Sequence, residues 1–376
     1  MRRPTHILGF AALALLALIV AGCGVPGTIS ASGTLPAAAA PPTQAPLPAV
    51  RFPQDEAPHH DLTEWWYYTG HLYARDSAGH ALTYGFELTF FQTLRGQFAP
   101  YYVAHFAISD VTGGQFHYDQ RVAFEPMSAV PAPGSTNGFD VRIGDWSASG
   151  LNGHDELAAN MTNYAMRLSL AGKKPAILHG GNGIITYGEA GFSYYYSRPL
   201  MTITGTLTDH GQPLAVTGQA WMDHQWGNFL SLAGAGWDWY SLQLNDNTEY
   251  MLYVIRDAQK RPISVVGTVV SPSGGASEIP ADAIHIQATG DWQSPHTGGD
   301  YPSGWRITVS SQRLSLVIAP LLRDQELVTT CSTGVAYWEG AIELRGTSGG
   351  ATVAGVGYVE LTGYAATPPN PSCAAP

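Results

Sequence analysis

The chain has 376 residues, with 18 basic against 29 acidic side chains and a formal net charge of −11. This balance argues against nucleic acid or an anionic membrane surface as the main partner. Charged residues make up only 12% of the chain, about half of the roughly 25% that is usual. With 45% hydrophobic and 11% aromatic residues, the composition favours an apolar interior beyond an ordinary packing core.

The N-terminus has the features of an export signal. Arg2 and Arg3 precede an uncharged run from Ile7 to Val20, which is short for a membrane span and ends in the small residues before Cys23. Residues 20–23 (VAGC) resemble a bacterial lipobox, which implies that Cys23 becomes the lipidated first residue. An ordinary signal peptide cleaved near the same place is the alternative. We therefore predict a signal peptide over 1–23 and an extracytoplasmic, membrane-anchored lipoprotein at the cell surface or in the periplasm.

Residues 24–50 are rich in Ala, Pro, Thr, Ser and Gly and almost free of charge. Such a segment cannot bury a core, and we expect a semi-extended tether. Cys331 and Cys373 remain in the exported chain. In an oxidising compartment a disulfide between them is expected, with two buried free thiols as the alternative.

The sequence pattern after residue 50 predicts antiparallel β structure. Two runs alternate at period two, and turn residues separate such runs throughout. The alternating runs are Tyr84, Phe86, Leu88, Phe90 and Tyr164, Met166, Leu168, Leu170, and the turns are Asp76–Gly79, Asp209–Gly211 and Ser273–Gly275. We predict an all-β fold of two antiparallel barrel-like domains, residues 51–230 and 231–376, because the body is long for one domain.

Two segments place candidate catalytic side chains next to large aromatic residues. They are residues 59–72 (HHDLTEWWYYTGHL) and residues 221–227 (WMDHQWG). Ordinary core strands do not need imidazoles and carboxylates beside large aromatics, since buried polar groups are costly unless they are paired. A site at the wall of an apolar cavity does need them.

These segments resemble a known family, the secreted proteins that share the fold of carotenoid 1,2-hydratase (hydroxyneurosporene synthase) and of the AttH accessory component of Att-type export. The resemblance rests on motifs that run in order along nearly the whole exported chain. They are residues 64–72, 179–183, 221–227, 237–244, 301–305, 324–327, 337–340 and 357–364. It implies two lipocalin-like β-barrels packed together, with an apolar tunnel or cavity near their junction.

The resemblance also implies site residues. The hydratase branch places a histidine and a tryptophan two apart in its active site, which His224 and Trp226 match. It uses a tyrosine and an aspartate two apart on a later strand, where this chain offers Tyr253 and Ile255. The carboxylate expected there is missing, which puts specific carotenoid hydration in doubt.

Alkene hydration needs a strong acid, stabilisation of a carbocation and a positioned water. A buried carboxylic acid and aromatic faces can supply the first two. The candidate catalytic residues are Asp223, His224, Trp226, Asp238, Tyr240 and Glu64. The candidate ligand-binding residues are Trp65, Trp66, Tyr68, His71, Trp237, Trp239 and Tyr253. For many of them a structural reading competes: Trp65 and Trp226 as barrel plugs, His71 as a hydrogen-bonded wall residue, and Glu64 and Asp223 as members of a buried network.

No cofactor is predicted. His59, His71, Glu64 and His224 could together supply zinc ligands, but no short ligand spacing supports a metal site. No serine sits in a recognisable nucleophile context, so a serine hydrolase gains no support.

The sequence thus favours a tethered protein that binds an extended apolar small molecule, a carotenoid, terpenoid or lipid, with hydratase chemistry as the leading enzymatic activity. The alternatives are a non-catalytic carrier or accessory of an ABC exporter, and a cyclase or pericyclase, which the resemblance suggests. Polar groups converging on the cavity would favour an enzyme, and an unbroken apolar wall a carrier.

Overall fold

The computed structural model describes residues 47–94, 100–124, 131–187, 191–229 and 236–365. Contacts divide the chain into residues 1–47 and 48–376, so the described part belongs almost wholly to the second unit. Cys331 is disulfide-bonded, while Cys373 and Cys23 lie outside the described residues, as do the predicted signal peptide and most of the tether. Within the described ranges no helix is long and apolar enough to cross a membrane.

The described chain is nearly all β, which confirms the predicted fold class. Its strands are β1 Thr63–Arg75, β2 Ala81–Thr93, β3 Tyr101–Asp110, β4 Gln115–Ala123, β5 Phe139–Ile143, β6 Trp146–Leu151, β7 His154–Met161, β8 Tyr164–Gly172, β9 Ile177–Leu178, β10 Ile184–Thr186, β11 Phe192–Asp209, β12 Gln212–Gly227, β13 Gly236–Leu244, β14 Glu249–Arg256, β15 Pro262–Val270, β16 Ala276–Glu278, β17 Ile284–Ala288, β18 Asp291–Gln293, β19 Asp300–Pro302, β20 Trp305–Val309, β21 Leu314–Pro320, β22 Glu326–Thr329, β23 Val335–Ser348 and β24 Ala351–Thr362. Short 3₁₀ helices span Gln54–Glu56, Ala281–Ala283 and Ser310–Gln312.

Two large antiparallel sheets contain most strands. The first has the order β4-β3-β2-β1-β12-β11-β8-β7-β6-β5, with β9 and β10 also paired to β11. The second has the order β16-β15-β14-β13-β24-β23-β21-β20-β17, with β22 paired to β23. The first sheet uses strands that end by Gly227 and the second begins at Gly236, on either side of the predicted boundary near 230. The division into two domains there stays a prediction.

The predicted turns form hairpins for local reasons. Between β1 and β2, the Asp76 carboxylate accepts hydrogen bonds from the backbone N–H groups of Ala78 and His80. Between β11 and β12, His210 and Gly211 have φ of 47° and 81°, the left-handed pair that a tight hairpin requires. The alternating residues of β2 and β8 are all buried in the core of the first sheet, as the sequence predicted.

The first sheet curls into a nearly closed barrel, because its edge strands β4 and β5 approach each other. Arg121 on β4 donates to the Ile143 carbonyl on β5 at 3.3 Å and pairs with Asp145. Its guanidinium also lies 4.3 Å from the centroid of the Trp146 ring. One arginine thus links the two edges through a hydrogen bond, an ion pair and a cation–π contact.

Each sheet encloses its own apolar core, and a third core lies between the sheets. The third core contains Tyr67, Ile185, Tyr195, Trp221, Trp239, Met251, Tyr253, Ile255, Ala341 and Tyr358. Polar contacts accompany it: the His71 Nε2–H donates to the Gly357 carbonyl at 2.9 Å, and the Gln243 amide donates to the Ala220 carbonyl at 3.0 Å. The candidate site lies in this region.

Candidate active site between the sheets

A cavity of about 60 Å³ opens between the two sheets. Its wall is formed by Trp65, Tyr67, Thr89, Phe91, Tyr195, Asp223, Gln225, Trp237, Trp239, Tyr253, Tyr337 and Glu360. A water needs roughly 10–15 Å³ on this measure. The cavity therefore holds a few waters or the end of a hydrocarbon chain, and it does not enclose a whole extended ligand.

Strand alternation decides which residues reach the cavity. Successive side chains of a strand point to opposite faces of the sheet. On β12 Asp223 and Gln225 line the cavity, whereas His224 and Trp226 face the interior of the first barrel, where Trp226 belongs to the core. Asp223 and His224 are adjacent in sequence but serve two different sites.

Asp223 is fully buried and accepts three hydrogen bonds. Tyr195 donates to Oδ2 at 2.6 Å, Trp221 donates to Oδ1 at 2.6 Å, and the Ser197 hydroxyl also donates to Oδ1. Burial raises the pKa of Asp223 to about 7 despite these donors. The Trp239 indole donates to the Tyr195 hydroxyl at 2.9 Å, which extends this network from the first sheet to the second.

A second acid reaches the same cavity from the second sheet. Glu360 on β24 is paired directly with Glu339 on β23, and side chains in such positions lie about 4.5–5.5 Å apart at Cβ. Glu360 accepts a hydrogen bond from the Trp237 indole at 2.9 Å, and Glu339 accepts one from the Tyr67 hydroxyl at 2.7 Å. Neither forms an ion pair within the described residues.

Burial raises the pKa of both carboxyl groups, and repulsion adds to the rise for Glu339. Burial raises the pKa of Glu360 to about 7. The pKa of Glu339 is well above its usual range because of burial, with Glu360 and Glu87 adding repulsion. Burial does the same to the pKa of Glu87 on β2. A buried and a partly exposed carboxylate placed opposite each other on paired strands cannot both ionise at low cost, so the pair carries at least one proton near neutral pH.

This protonation predicts a dependence of stability on pH. The pKa of Glu360 is raised in the folded protein, so its contribution is complete below the unfolded pKa of about 4.5 and is lost as pH rises through about 7. The expected slope is at most about 1.4 kcal/mol per pH unit for one proton. Urea unfolding across this window should show a smaller decline in stability for Glu360→Gln than for the wild type. Parallel curves for the two proteins would contradict the protonated assignment.

The remaining wall of the cavity is aromatic. Trp237 and Tyr253 contact each other with ring centroids 6.4 Å apart, and Tyr67 and Trp239 meet edge to face at 5.3 Å. Aromatic faces attract a cation by about 0.5–2 kcal/mol each when water is excluded. The cavity thus combines carboxyl groups of raised pKa with an aromatic wall that can stabilise positive charge.

A separate cluster lies on the opposite face of β1 and β12. Glu64 is fully buried, and its Oε1 accepts from His59 Nδ1 and from His224 Nε2, each at 2.8 Å. The His59 ring stacks on Trp226 with centroids 3.9 Å apart, and the His224 ring stacks on Trp66 at 4.8 Å. The predicted catalytic residues Glu64, His224 and Trp226 therefore come together, but away from Asp223.

Other predicted site residues have structural partners instead. Asp238 forms an ion pair with Arg256 at 3.0 Å, and Tyr240 packs in the core of the second sheet against Trp305. Their positions follow from alternation, because Trp237 and Trp239 take the cavity face of β13. Trp66 lies in the first core, as does Tyr68, whose hydroxyl donates to Asp155 at 2.9 Å. His71 is held by the Gly357 carbonyl between the sheets.

Among the predicted ligand-binding residues, the cavity collects Trp65, Trp237, Trp239 and Tyr253. Sequence reasoning missed Glu360, Glu339 and Tyr195 as site residues, although the first two stand within motifs that it noted. One signal was available: Tyr358 and Glu360 alternate with the apolar Val359 and Leu361. Such a pattern indicates a polar face but does not show what the face meets.

The model for AttH-like proteins matches residues 43–364, and the chain belongs to that family. An AttH-type protein from Nitrosomonas europaea is similar at 32% identity and a TM-score of 0.76, over 86% of this chain and 99% of that one. No curated protein matches the chain.

Two more distant solved structures share the fold. Kievitone hydratase from Nectria haematococca is 20% identical with a TM-score of 0.66, over 84% of this chain and 93% of that one. CghA, solved with Sch210972, is 13% identical with a TM-score of 0.55, over 81% of this chain and 89% of that one.

Proposed function

We propose that this protein is a hydro-lyase that adds water across a carbon–carbon double bond of an apolar small molecule. The observation that carries the proposal is the Glu360–Glu339 pair, which places a carboxyl group of raised pKa at the wall of an aromatic cavity. Glu360 is the better proton donor of the two, since its side chain is partly exposed and lines the cavity. The occurrence of a hydratase among proteins of the same fold is compatible with this chemistry.

The reaction needs no component beyond substrate and water. The Glu360 carboxyl group transfers its proton to one alkene carbon, and the π electrons form the new C–H bond. The adjacent carbon becomes a cation, which the aromatic wall and the new carboxylate stabilise. Water then forms the C–O bond and loses a proton to Glu360, which restores the acid. Asp223 and Tyr195 lie at the same wall and can orient that water.

The volume of the cavity limits the classes of substrate that can bind there. About 60 Å³ admits the end of a chain, so we propose that a terpenoid or carotenoid presents a terminal alkene unit there. A branched alkene suits this site, because its protonation gives a tertiary cation. The acids that converge on the cavity favour an enzyme over a passive carrier, whose wall would be apolar throughout.

A hydrolase using a serine nucleophile fits the geometry poorly. Ser197 lies between His179 and Asp223, 2.6 Å from the His179 Nε2. However, its hydroxyl donates to Asp223 and is fully buried. In a catalytic triad the acid orients the histidine, and the serine faces the substrate. Here the acid binds the serine itself, so the group is a buried hydrogen-bond network.

The activity is tested with lycopene, neurosporene and shorter acyclic terpenes in H₂¹⁸O. A tertiary alcohol carrying one ¹⁸O is expected, and it should be absent without protein. Ligand binding measured in parallel separates the alternatives. Binding without labelled alcohol from any of these substrates would favour the carrier, while a ring-closed product without label would favour a cyclase.

We also propose that Cys23 anchors the protein outside the cytoplasm. A single acyl chain gives only marginal attachment, whereas a lipoprotein cysteine carries two or three. Replacing Cys23 with Ser should therefore move the protein from the membrane fraction to the medium or periplasm of its host. Fractionation identical to that of the wild type would show that another anchor holds it.

A further inference from the structure

The cluster on the barrel-facing side of β1 and β12 has no part in the proposed hydration. His59 precedes β1, Glu64 lies on β1 and His224 lies on β12. One ligand atom from each residue lies within 4.8 Å of the others. We propose that these three side chains form a binding site for a divalent transition-metal ion, with zinc as the expected occupant.

The donor set fits such an ion. Two imidazole nitrogens and one carboxylate oxygen are a combination that zinc sites use, with a fourth position left for water. Imidazole selects zinc, copper, nickel or iron over magnesium and calcium, which prefer oxygen ligands. In the structure His59 Nδ1 and His224 Nε2 both lie 2.8 Å from Glu64 Oε1. With zinc–ligand bonds of about 2.0–2.2 Å, the ligand atoms of a tetrahedral site lie roughly 3.3 Å apart. Glu64 Oε1 would therefore move slightly away from both rings, and all three atoms already lie within 4.8 Å of one another.

The surroundings orient the two rings as metal ligands require. Metal-bound histidines usually donate the other ring N–H to an oxygen acceptor. His224 Nδ1 lies within hydrogen-bond distance of the Tyr196 hydroxyl, at 3.3 Å. The nearby acceptor for His59 Nε2 is Asp55 Oδ1 at 3.6 Å, which is too long for a hydrogen bond, and among the described residues this nitrogen has no hydrogen-bond partner. Stacking of His59 on Trp226 holds its ring in the plane that aims Nδ1 at the cluster.

The buried carboxylate of Glu64 gives a further reason to expect a metal ion at this cluster. Glu64 is fully buried, and among the described residues it pairs with no lysine or arginine but only with the two histidines. Its Oε2 accepts from the His59 backbone N–H at 2.9 Å and from the Gln92 amide at 3.1 Å. These donors fix the carboxylate so that Oε1 points to both rings. A buried carboxylate is stable only when it is paired and hydrogen-bonded, and a divalent ion between these atoms would pair with it directly.

Such an ion would fasten the segment before β1 to the first barrel. His59 is the ligand that belongs to this segment, and its side chain is 14% exposed, which leaves a path for entry and exchange. The ion would lie across the β1–β12 layer from Glu360, so its role would be separate from hydration.

The test is zinc binding to the whole protein after treatment with a chelator. We expect one zinc per chain, and a Co²⁺ form with the visible absorption of a four-coordinate site. Glu64→Gln and His224→Gln should weaken zinc binding by at least about 100-fold. Asp55→Asn, which removes a charge beside His59 but no ligand, should weaken it by about 10-fold. The neighbouring His60 is exposed, and His60→Gln should bind as the wild type does.

Thermal unfolding gives a second readout that does not depend on activity. Zinc should raise the Tm of the wild type in a concentration-dependent way, and of His60→Gln equally, but not of Glu64→Gln. Far-UV circular dichroism checks that each variant is folded, and Asp55→Asn keeps the test valid if a ligand variant does not fold.

The proposal is overturned if the folded wild type takes up no stoichiometric zinc, or if Asp55→Asn and the ligand variants bind it as well as His60→Gln does. The cluster would then be a hydrogen-bonded triad only.

Discussion

Replacing Glu360 with Gln should lower turnover by at least about 100-fold, the usual effect of losing a general acid. Gln keeps the size and can still accept the 2.9 Å hydrogen bond from the Trp237 indole, but it has no proton to transfer to an alkene carbon. Ligand affinity should change little, because the apolar wall is intact. The effect should therefore appear in kcat and leave KM nearly unchanged.

A matched control is available in the same sheet. Glu278 on β16 is exposed, and Glu278→Gln should retain wild-type turnover. Asp223→Asn serves as the comparison within the cavity, since it removes the acid that the sequence favoured. Full activity in Glu360→Gln together with loss in Asp223→Asn would move the proton donor to Asp223 and contradict our assignment.

The largest effect on stability is expected from Arg198→Leu. The Arg198 guanidinium pairs with Glu56 inside the first barrel, with side-chain exposures of 8% and 2%. Asp155 is also buried nearby, and its raised pKa of about 7 results mainly from burial, which Arg198 partly offsets. Removing the guanidinium leaves the Glu56 carboxylate buried without a partner. Loss of one partner from a buried pair costs about 3–5 kcal/mol.

Chemical denaturation measures this loss in the free energy of unfolding. Two further variants show whether the loss comes from the buried charge. Arg142 forms an exposed pair with Asp140, and Arg142→Leu should cost no more than about 1 kcal/mol. Adding Glu56→Gln to Arg198→Leu removes the uncompensated charge but keeps an acceptor for the Asn152 backbone N–H, which lies 2.7 Å from Glu56. The double variant should recover most of the stability. A double variant as unstable as Arg198→Leu would assign the loss to packing instead of charge.

The fold class could be predicted because its signals are local. The alternation of Tyr84, Phe86, Leu88 and Phe90 places one face of β2 in a core, and the dipeptide His210-Gly211 supplies the left-handed conformation of a hairpin turn. Neither signal depends on distant parts of the chain. The family could also be predicted from the sequence, because its motifs occur in the same order along the chain.

The candidate site could be predicted only in part. Trp65, Trp237, Trp239 and Tyr253 line the cavity, and their role in ligand binding stays a prediction. Asp223 and His224 separate because neighbours on a strand face opposite ways. Glu360 stood in a noted motif, yet its importance depends on Glu339 across the β23–β24 pair and on Trp237 from β13. No local pattern encodes which residues two paired strands place opposite each other.

The sequence by itself determined the strands, the turns and the family, because periodicity and turn chemistry act over a few residues. Only the tertiary structure decided the chemistry of the two clusters. His59 and Glu64 meet His224 across about 160 positions of chain, and Glu360 lies opposite Glu339 on the paired strand, where burial raises its pKa to about 7. The chemistry of each cluster depends on the proximity of its residues and on their removal from water. Proximity and desolvation arise when distant strands pack together and exclude water.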